Sequence, residues 1–276
     1  MSPATPLTTG MRAMLLVFCV TVAVSGFQLF VLSEYTDRFF AWTIDVPLTA
    51  AFLGAAYWGS LPLVLISSQQ HFWAQARVAV PSVLVFTALT LVATLIHIDL
   101  FHLGSIFGWV WLVVYVIVPP AMVLFLVNQL RVGDGDPPRR ALLPTWMRFT
   151  LGTQATIMLV LGTALFVAPQ TTAKLWPWPL TPLTGRAVGS WLVGIGIAAA
   201  HMCWENDYQR VYAGISSYAV LGALQLLAVA RYADTVNWSG IAAWLYVVFV
   251  LSVLGSGVYG WFEARSQASL RAPRGR

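Results

Sequence analysis

The chain has very little charge: Asp, Glu, Lys and Arg together make up 9% of its 276 residues, whereas 59% are hydrophobic. An average soluble domain carries roughly 25% charged residues. With so few charges a soluble fold would lack the polar surface that keeps it dissolved, which excludes the ordinary soluble classes. The mean hydropathy of +0.77 indicates that lipid is the solvent for most of the chain.

Cysteine and chemical motifs are also scarce. The two cysteines, Cys19 and Cys203, lie near opposite ends of the chain and form neither a disulfide framework nor a metal motif. A glycine-rich phosphate loop, HExxH and GxSxG are all missing, which weighs against nucleotide binding and the common hydrolytic mechanisms. The sequence therefore names no cofactor or metal, and it favours a protein that is not an enzyme.

Long apolar runs recur along the whole chain. About 20 apolar residues cross the hydrocarbon core as a helix, and these runs are too long for barrel strands. The first, Ala13 to Val31, has no clear cleavage site, so it reads as a span rather than a signal peptide. The sequence predicts an all-α membrane protein with about eight transmembrane helices, near residues 12–32, 48–66, 79–97, 108–130, 148–168, 186–204, 211–230 and 239–262.

Basic residues at the ends of the spans predict the orientation. On the face that carries the N-terminus lie Arg12, Arg77, Arg131, Arg139, Arg140, Arg148, Arg210, Arg265, Arg271, Arg274 and Arg276. On the other face lie Arg38, Lys174, Arg186 and Arg231. By the positive-inside rule both termini are cytoplasmic, and the protein is a multi-pass protein of the bacterial inner membrane. The net charge of +5 is explained by these span ends, so we expect no nucleic-acid partner.

The two halves of the chain resemble each other at a shift of about 135 residues. Matching pairs near the first loop are Leu29-Phe30-Val31 with Leu165-Phe166-Val167, Arg38 with Lys174, Trp42 with Trp178 and Pro47-Leu48-Thr49 with Pro182-Leu183-Thr184. Further pairs are Gly54 with Gly189, Arg77 with Arg210 and Trp111-Leu112 with Trp244-Leu245. Because apolar composition alone would not align Thr, Arg, Trp and Pro in order, we infer a tandem duplication.

The duplication predicts the domain organisation. Residues 1–130 form the first four-helix unit, 131–147 a cytoplasmic linker, 148–264 the second four-helix unit and 265–276 a basic cytoplasmic tail. Because each unit has an even number of spans, the two have the same orientation, related by an axis along the membrane normal.

The segment FFAWTIDVPLTAAFLGAAY (39–57) resembles bacterial multipass membrane proteins. The resemblance covers the first helix pair and its extracytoplasmic loop, and it implies a membrane location without an activity.

The central parts of the predicted spans contain no Asp, Glu, Lys or Arg. Ion-coupled transporters usually need a buried carboxylate, so this absence weighs against ion coupling. The neutral residues Thr87, Thr90 and Thr94 lie on one helix face; we expect them to serve helix packing, and the alternative is that they line a neutral cavity.

Ionisable residues gather at the ends of the spans. On the outer side we assign a ligand-binding rim to His97, Asp99, His102, Arg186 and Arg231, with Arg231 in the place of His97 in the second unit. Its occupant would be a metal, a haem or an anionic group, and the alternative is an outer loop whose histidines pair with carboxylates. On the inner side, we expect Arg77 and Arg210 to bind lipid headgroups or a neighbouring loop.

Three functions fit these features. The first is a carrier or lipid-handling protein for a neutral or amphipathic molecule, held in a cavity between the two units. The second is an accessory or assembly subunit of a membrane complex, with another membrane subunit as its partner. The third is an integral-membrane enzyme that uses the outer His and Asp residues.

Overall fold

A computed structural model describes residues 4–133 and 135–269, with side chains described as far as Gln267. Within these ranges the chain is helical, and eight helices are long and apolar enough to cross a membrane. They are α1 (Thr9–Phe30), α2 (Pro47–Ser68), α3 (Ala79–Ile96), α4 (Ile106–Leu130), α5 (Thr145–Val167), α6 (Pro182–Glu205), α7 (Tyr208–Arg231) and α8 (Ile241–Ser269). The predicted fold class is confirmed, and the chain is a polytopic membrane protein.

Local sequence signals set the ends of several helices. Pro47 and Pro182 lie in the first turns of α2 and α6, where a missing N–H is harmless. Thr181 caps α6 through a reciprocal pair of hydrogen bonds with Thr184. These polar caps satisfy backbone groups that would otherwise be exposed to lipid.

The linker and the tail differ slightly from their predicted bounds. Helix α5 begins at Thr145, so the last three residues of the predicted linker 131–147 are helical. Helix α8 runs to Ser269, beyond the predicted start of the tail at 265. Residues 270–276 of that tail lie outside the described residues.

The helices pack in an interleaved order. Within each half, α1 packs against α2, α3 against α4, α5 against α6 and α7 against α8. Between the halves, α2 packs against α7 and α3 against α6. The central parts of α2 and α6 are 67% buried, but those of α4 and α8 only 28%, so α4 and α8 lie on the outside of the bundle.

Matching contacts join the two halves. Ser82 donates to the carbonyl oxygen of Gly194 at 2.8 Å, and Ser217 donates to that of Gly59. Ser217 lies 135 positions after Ser82, and Gly194 lies 135 positions after Gly59. Such reciprocal bonds support the duplication, which remains a prediction about the origin of the chain.

The predicted alignment of the two halves is two residues off in α4 and α8. Trp111 is buried, with 7% of its surface exposed, whereas its predicted match Trp244 is 56% exposed. Trp244 instead resembles Trp109, which is 54% exposed and lies 135 positions earlier. Burial therefore makes Tyr246 the equivalent of Trp111 in the second half. Tyr246 is also packed into an aromatic cluster.

Candidate functional site

The predicted rim residues divide into separate contacts at one end of the bundle, which we call the rim end. His97 caps the carboxyl end of α3, and Arg186 lies near the start of α6. Because α3 packs against α6, these side chains meet, and Arg186 Nη1 donates to His97 Nε2 at 2.7 Å. A ring nitrogen that accepts a hydrogen bond carries no proton, so this contact favours neutral His97.

The pKa of His97 lies below its ordinary value. Burial at the end of α3 is the larger cause, and the positive charge of Arg186 acts in the same direction, while Asp99 opposes both. His97 is therefore a neutral acceptor for Arg186 near pH 7, rather than a cation that would attract an anionic ligand.

Asp99 and His102 have other surroundings. Asp99 lies in the one-turn helix Ile98–Leu100 and is exposed. His102 Nδ1 donates to the carbonyl oxygen of Phe40 at 3.3 Å, and its Nε2 lies 3.1 Å from Thr43 Oγ1. The two imidazoles thus bond to different partners, and the described residues contain no group of three or more His, Cys, Asp or Glu that could hold a metal. The hypothesis of a metal or haem site gains no support.

Arg231 binds a different part of the rim end. Its Nη1 donates to the carbonyl oxygen of Phe30 at 2.8 Å, and its Nη2 lies 3.8 Å from Glu34. Its guanidinium stacks over the ring of Tyr232 at 4.9 Å. Arg231 therefore fastens α7 to the end of α1, whereas Arg186 fastens α6 to α3.

Tyr232, not Arg231, occupies the place of His97 in the second half. His97 and Tyr232 are the C-terminal caps of α3 and α7, with φ, ψ of −121°, 30° and −124°, 40°. Each is followed by a three-residue 3₁₀ turn, Ile98–Leu100 and Ala233–Thr235. The predicted match was wrong by one residue because polar residue types alone do not fix the register of a loop.

Two crevices of similar size open on the flanks of the bundle. Crevice 1, of about 540 Å³, lies between α1 and α4. Crevice 2, of about 630 Å³, lies between α5 and α8 and reaches α6 and α7. Their walls include outward-facing apolar side chains, such as Val20 and Ile106 in crevice 1 and Ile241 and Leu245 in crevice 2. Both crevices therefore face the hydrocarbon of the bilayer.

Equivalent residues line the two crevices. Ile106, Val110 and Trp111 of crevice 1 lie 135 positions before Ile241, Leu245 and Tyr246 of crevice 2. The crevices thus arise from the same gap in each half, between its first and fourth helix. The sequence predicted a cavity between the two units, whereas crevice 1 lies within the first half and crevice 2 lies mainly within the second, with Phe52 of α2 as its contact with the first.

An aromatic cluster borders each crevice toward the rim end. In crevice 1, the ring of Trp111 lies 4.9 Å from Trp42 and 4.3 Å from Tyr115. In crevice 2, Tyr246 lies 5.9 Å from Trp176. Trp42 and Trp176 are both buried, so each cluster is part of the packed core behind its crevice.

The threonines of α3 do not form a polar cavity. Thr87 and Thr90 donate to carbonyl oxygens within α3, each at 2.8 Å. Thr94 does the same and also accepts from the indole N–H of Trp111 at 3.0 Å. Their hydroxyls are bonded within the fold, which favours helix packing over the alternative of a neutral cavity.

A cluster of charges lies at the opposite end of the bundle. Glu205, the last residue of α6, is fully buried, and both of its oxygens accept hydrogen bonds from Arg77. Arg210 donates to the same carboxylate at 3.0 Å, and His201 lies 3.4 Å from it. Asp136 of the linker binds both arginines, at 2.7 and 3.3 Å. Arg77 and Arg210 thus share one buried carboxylate.

The sequence predicted only part of this charge cluster. The sequence assigned Arg77 and Arg210 to headgroups or a neighbouring loop, and Asp136 does lie in such a loop. Glu205 also belongs to the polar segment around Arg210, but its burial and its pairing with both arginines were not predicted.

The chain matches no protein-family model, and comparison with curated proteins and with solved structures also finds no match.

Proposed function

We propose that the protein binds amphipathic lipid-like molecules of the bilayer in crevices 1 and 2 and acts as a carrier or lipid-handling protein. The pair of equivalent crevices is the observation that carries this proposal. Because both crevices are open to the hydrocarbon of the bilayer, a lipid chain can enter them and make dispersion contacts along their walls.

The size and chemistry of the crevices suit such a ligand. Their volumes of about 540 and 630 Å³ lie within the range of roughly 300–1,000 Å³ that is usual for small-molecule sites. The apolar walls match hydrocarbon, and the aromatic clusters suit the interfacial part of an amphipathic molecule.

A cation lies beside crevice 2. Lys174 is exposed and directly precedes Leu175, which lines the crevice. A lysine at the membrane surface attracts the phosphate of an anionic headgroup. The ligand of crevice 2 is therefore an anionic amphipath with its charge toward the rim end.

The proposal includes the membrane and its orientation. The excess of basic residues at the end of the bundle that carries residues 4–8 and 131–144 supports a cytoplasmic location for that end. The rim end then faces the outside of the inner membrane, and both crevices open toward its outer leaflet.

Filling the crevices tests the proposal. Val110→Trp in crevice 1 and Leu245→Trp in crevice 2 introduce equivalent bulk into each wall. The controls are Val113→Trp and Leu251→Trp, which lie on the same helices at exposed positions outside the crevice walls. Native mass spectrometry of the purified protein should show fewer bound lipids for each filling variant than for the parent. Each control variant should bind as many lipids as the parent.

A flux assay in proteoliposomes then separates carrying from binding. Wild-type protein should speed the movement of a fluorescent phospholipid between the leaflets, and the double filling variant should not. Equal lipid binding by filling and control variants would overturn the proposal.

The exposed faces of α4 and α8 favour the second candidate, an accessory subunit. A partner helix that binds these faces would be recovered by cross-linking in native membranes. In that case the isolated chain should show neither retained lipid nor flux.

A further inference from the structure

The two crevices differ in the helix that forms one wall of each. Thr21, Ser25 and Gln28 of α1 all line crevice 1. Their spacing of four and three residues places them on one face of the helix. Crevice 1 therefore has a polar stripe that runs from its middle to the rim end.

The second half has apolar residues at the same places. The match of Leu29-Phe30-Val31 with Leu165-Phe166-Val167 puts Ile157, Leu161 and Ala164 at the positions of the polar stripe. Ile157 and Leu161 line crevice 2. The stripe is thus a feature of crevice 1 that packing of the duplicated helices does not require.

Two groups of the stripe have no partner within the fold. Thr21 donates to the carbonyl oxygen of Val17 at 3.3 Å, whereas no hydrogen bond of the Ser25 or Gln28 side chain occurs among residues 4–133 and 135–267. A polar group that faces hydrocarbon without a partner is unfavourable. A ligand with hydrogen-bond acceptors would remove that penalty.

The polar groups exposed in crevice 2 are already paired, and the one unpaired polar group among its described lining residues, the indole N–H of Trp176, is buried beneath the surface of the crevice. Gln225 donates to the carbonyl oxygen of Phe52 at 3.1 Å and accepts from Tyr246 at 3.0 Å. Ser252 donates to the carbonyl oxygen of Phe249 at 2.7 Å. Crevice 2 thus offers a ligand mainly apolar contacts.

The unpaired groups lie at a defined depth. Helix α1 has 22 residues, or about 33 Å, slightly more than the hydrocarbon core. Ser25 and Gln28 are about 7.5 and 3 Å from its last residue. In a core of about 30 Å both therefore lie in the outer part of the hydrocarbon, next to the region that holds the ester carbonyls of a glycerolipid.

We infer that crevice 1 recognises the ester groups of a diacyl glycerolipid. The hydroxyl of Ser25 and the carboxamide NH₂ of Gln28 donate to the ester carbonyl oxygens, and an acyl chain fills the apolar part of the crevice. This inference rests on the proposed lipid binding and adds the part of the lipid that is recognised.

Ester and ether lipids provide the test, because a dialkyl ether lipid keeps the chains and the headgroup but lacks both carbonyls. The full chain with crevice 2 filled by Leu245→Trp is titrated with a diacyl phosphatidylglycerol and with its dialkyl analogue. Two hydrogen bonds of the size measured in membranes predict a preference for the ester lipid of roughly fivefold to tenfold.

Substitutions in the stripe should remove this preference. In the same background, Ser25→Ala with Gln28→Leu should bind both lipids equally, because only the donors are lost. Gln28→Glu is a second variant that keeps the size and removes the NH₂ donor; because the Ser25 hydroxyl remains, it should reduce the preference to roughly twofold to threefold. With crevice 1 filled by Val110→Trp, crevice 2 should bind ester and ether lipids alike.

The outcomes distinguish the two proposals. Equal binding of ester and ether lipids by crevice 1 overturns the inference and leaves lipid binding intact. Failure to bind either lipid overturns the proposed function itself. Loss of a co-purifying membrane protein in the stripe variants, with no ester preference in the parent, would assign the stripe to a partner helix and overturn the inference.

Discussion

Arg77 donates two hydrogen bonds to the carboxylate of Glu205, which lies 128 residues later in the chain. The pair joins the segment before α3 to the end of α6. Arg210 and Asp136 add the start of α7 and the linker to the same contact. One fully buried carboxylate thus holds four separate segments together at this end of the bundle.

Glu205→Gln should strongly destabilise the protein. Removing one member of a buried ion pair typically lowers the free energy of unfolding by about 3–5 kcal/mol, and here Asp136 would remain as a single carboxylate for two arginines. Equilibrium unfolding in mixed micelles measures the change. The control is Glu263→Gln, which replaces a carboxylate that accepts a single hydrogen bond, from Gln267. If both variants unfold alike, the charge cluster does not stabilise the fold.

Gly54→Ala and Gly189→Ala should each destabilise the fold. A Cβ at Gly54 would meet the backbone of Leu29 and Phe30, and one at Gly189 would lie 2.6 Å from the carbonyl oxygen of Gly162. Because backbone atoms cannot rotate away, we expect a loss of about 1–3 kcal/mol for each variant.

The matched control for these glycines is Gly255→Ala on α8, where an added Cβ meets nothing within 4 Å. Alanine favours a helix over glycine by up to about 1 kcal/mol, so this variant should be as stable as the parent or slightly more so. Thermal unfolding in detergent compares the three. An unchanged midpoint for both Gly54→Ala and Gly189→Ala would contradict the close packing of α1 with α2 and α5 with α6.

The helices could be predicted from the sequence because the length of each apolar run determines them. Every run of about 20 apolar residues must form a helix in lipid, and all eight did so. Contacts between helices depend instead on which faces meet. Nothing in the local sequence of Arg186 specifies that it reaches His97, or that Arg231 reaches Phe30.

The crevices were missed for a related reason. A crevice is a gap left where neighbouring helices do not pack together. Symmetry alone suggested a position between the two units. The polar stripe of Thr21, Ser25 and Gln28 was visible as a helical spacing. The stripe lines a crevice only because α4 is separated from α1, and residue types do not predict that separation.

Cysteine labelling tests the orientation of the chain. The starting protein carries Cys19→Ala and Cys203→Ser, since both native cysteines are partly exposed. An impermeant maleimide added to intact cells should label single cysteines at Glu34, Leu100 and Asp234, and not at Gly135 or Ser266. Leu100, 51% exposed, is a better position than the neighbouring Phe101, which is 7% exposed. Labelling at Gly135 from outside would reverse the assignment.

His97 should make the stability of the fold depend on pH. The pKa of His97 in the folded protein is lowered by burial and by Arg186. In the unfolded chain its pKa should be about 6.5. As the pH falls through that value, the unfolded state takes up a proton before the folded state does. Stability contributed by neutral His97 is therefore complete above this range and is lost as the solution becomes more acidic.

Two substitutions separate the causes of this pH dependence. His97→Gln removes the titrating group, so the difference in unfolding midpoint between pH 7.5 and pH 5 should become smaller than in the parent. Arg186→Gln removes the neighbouring cation but leaves the burial, so the pKa of His97 should rise and the pH dependence should shrink only in part. His71→Gln, in the exposed loop between α2 and α3, controls for the loss of one imidazole elsewhere. A pH dependence that is identical in the parent and in His97→Gln would show that the contact with Arg186 does not hold His97 neutral.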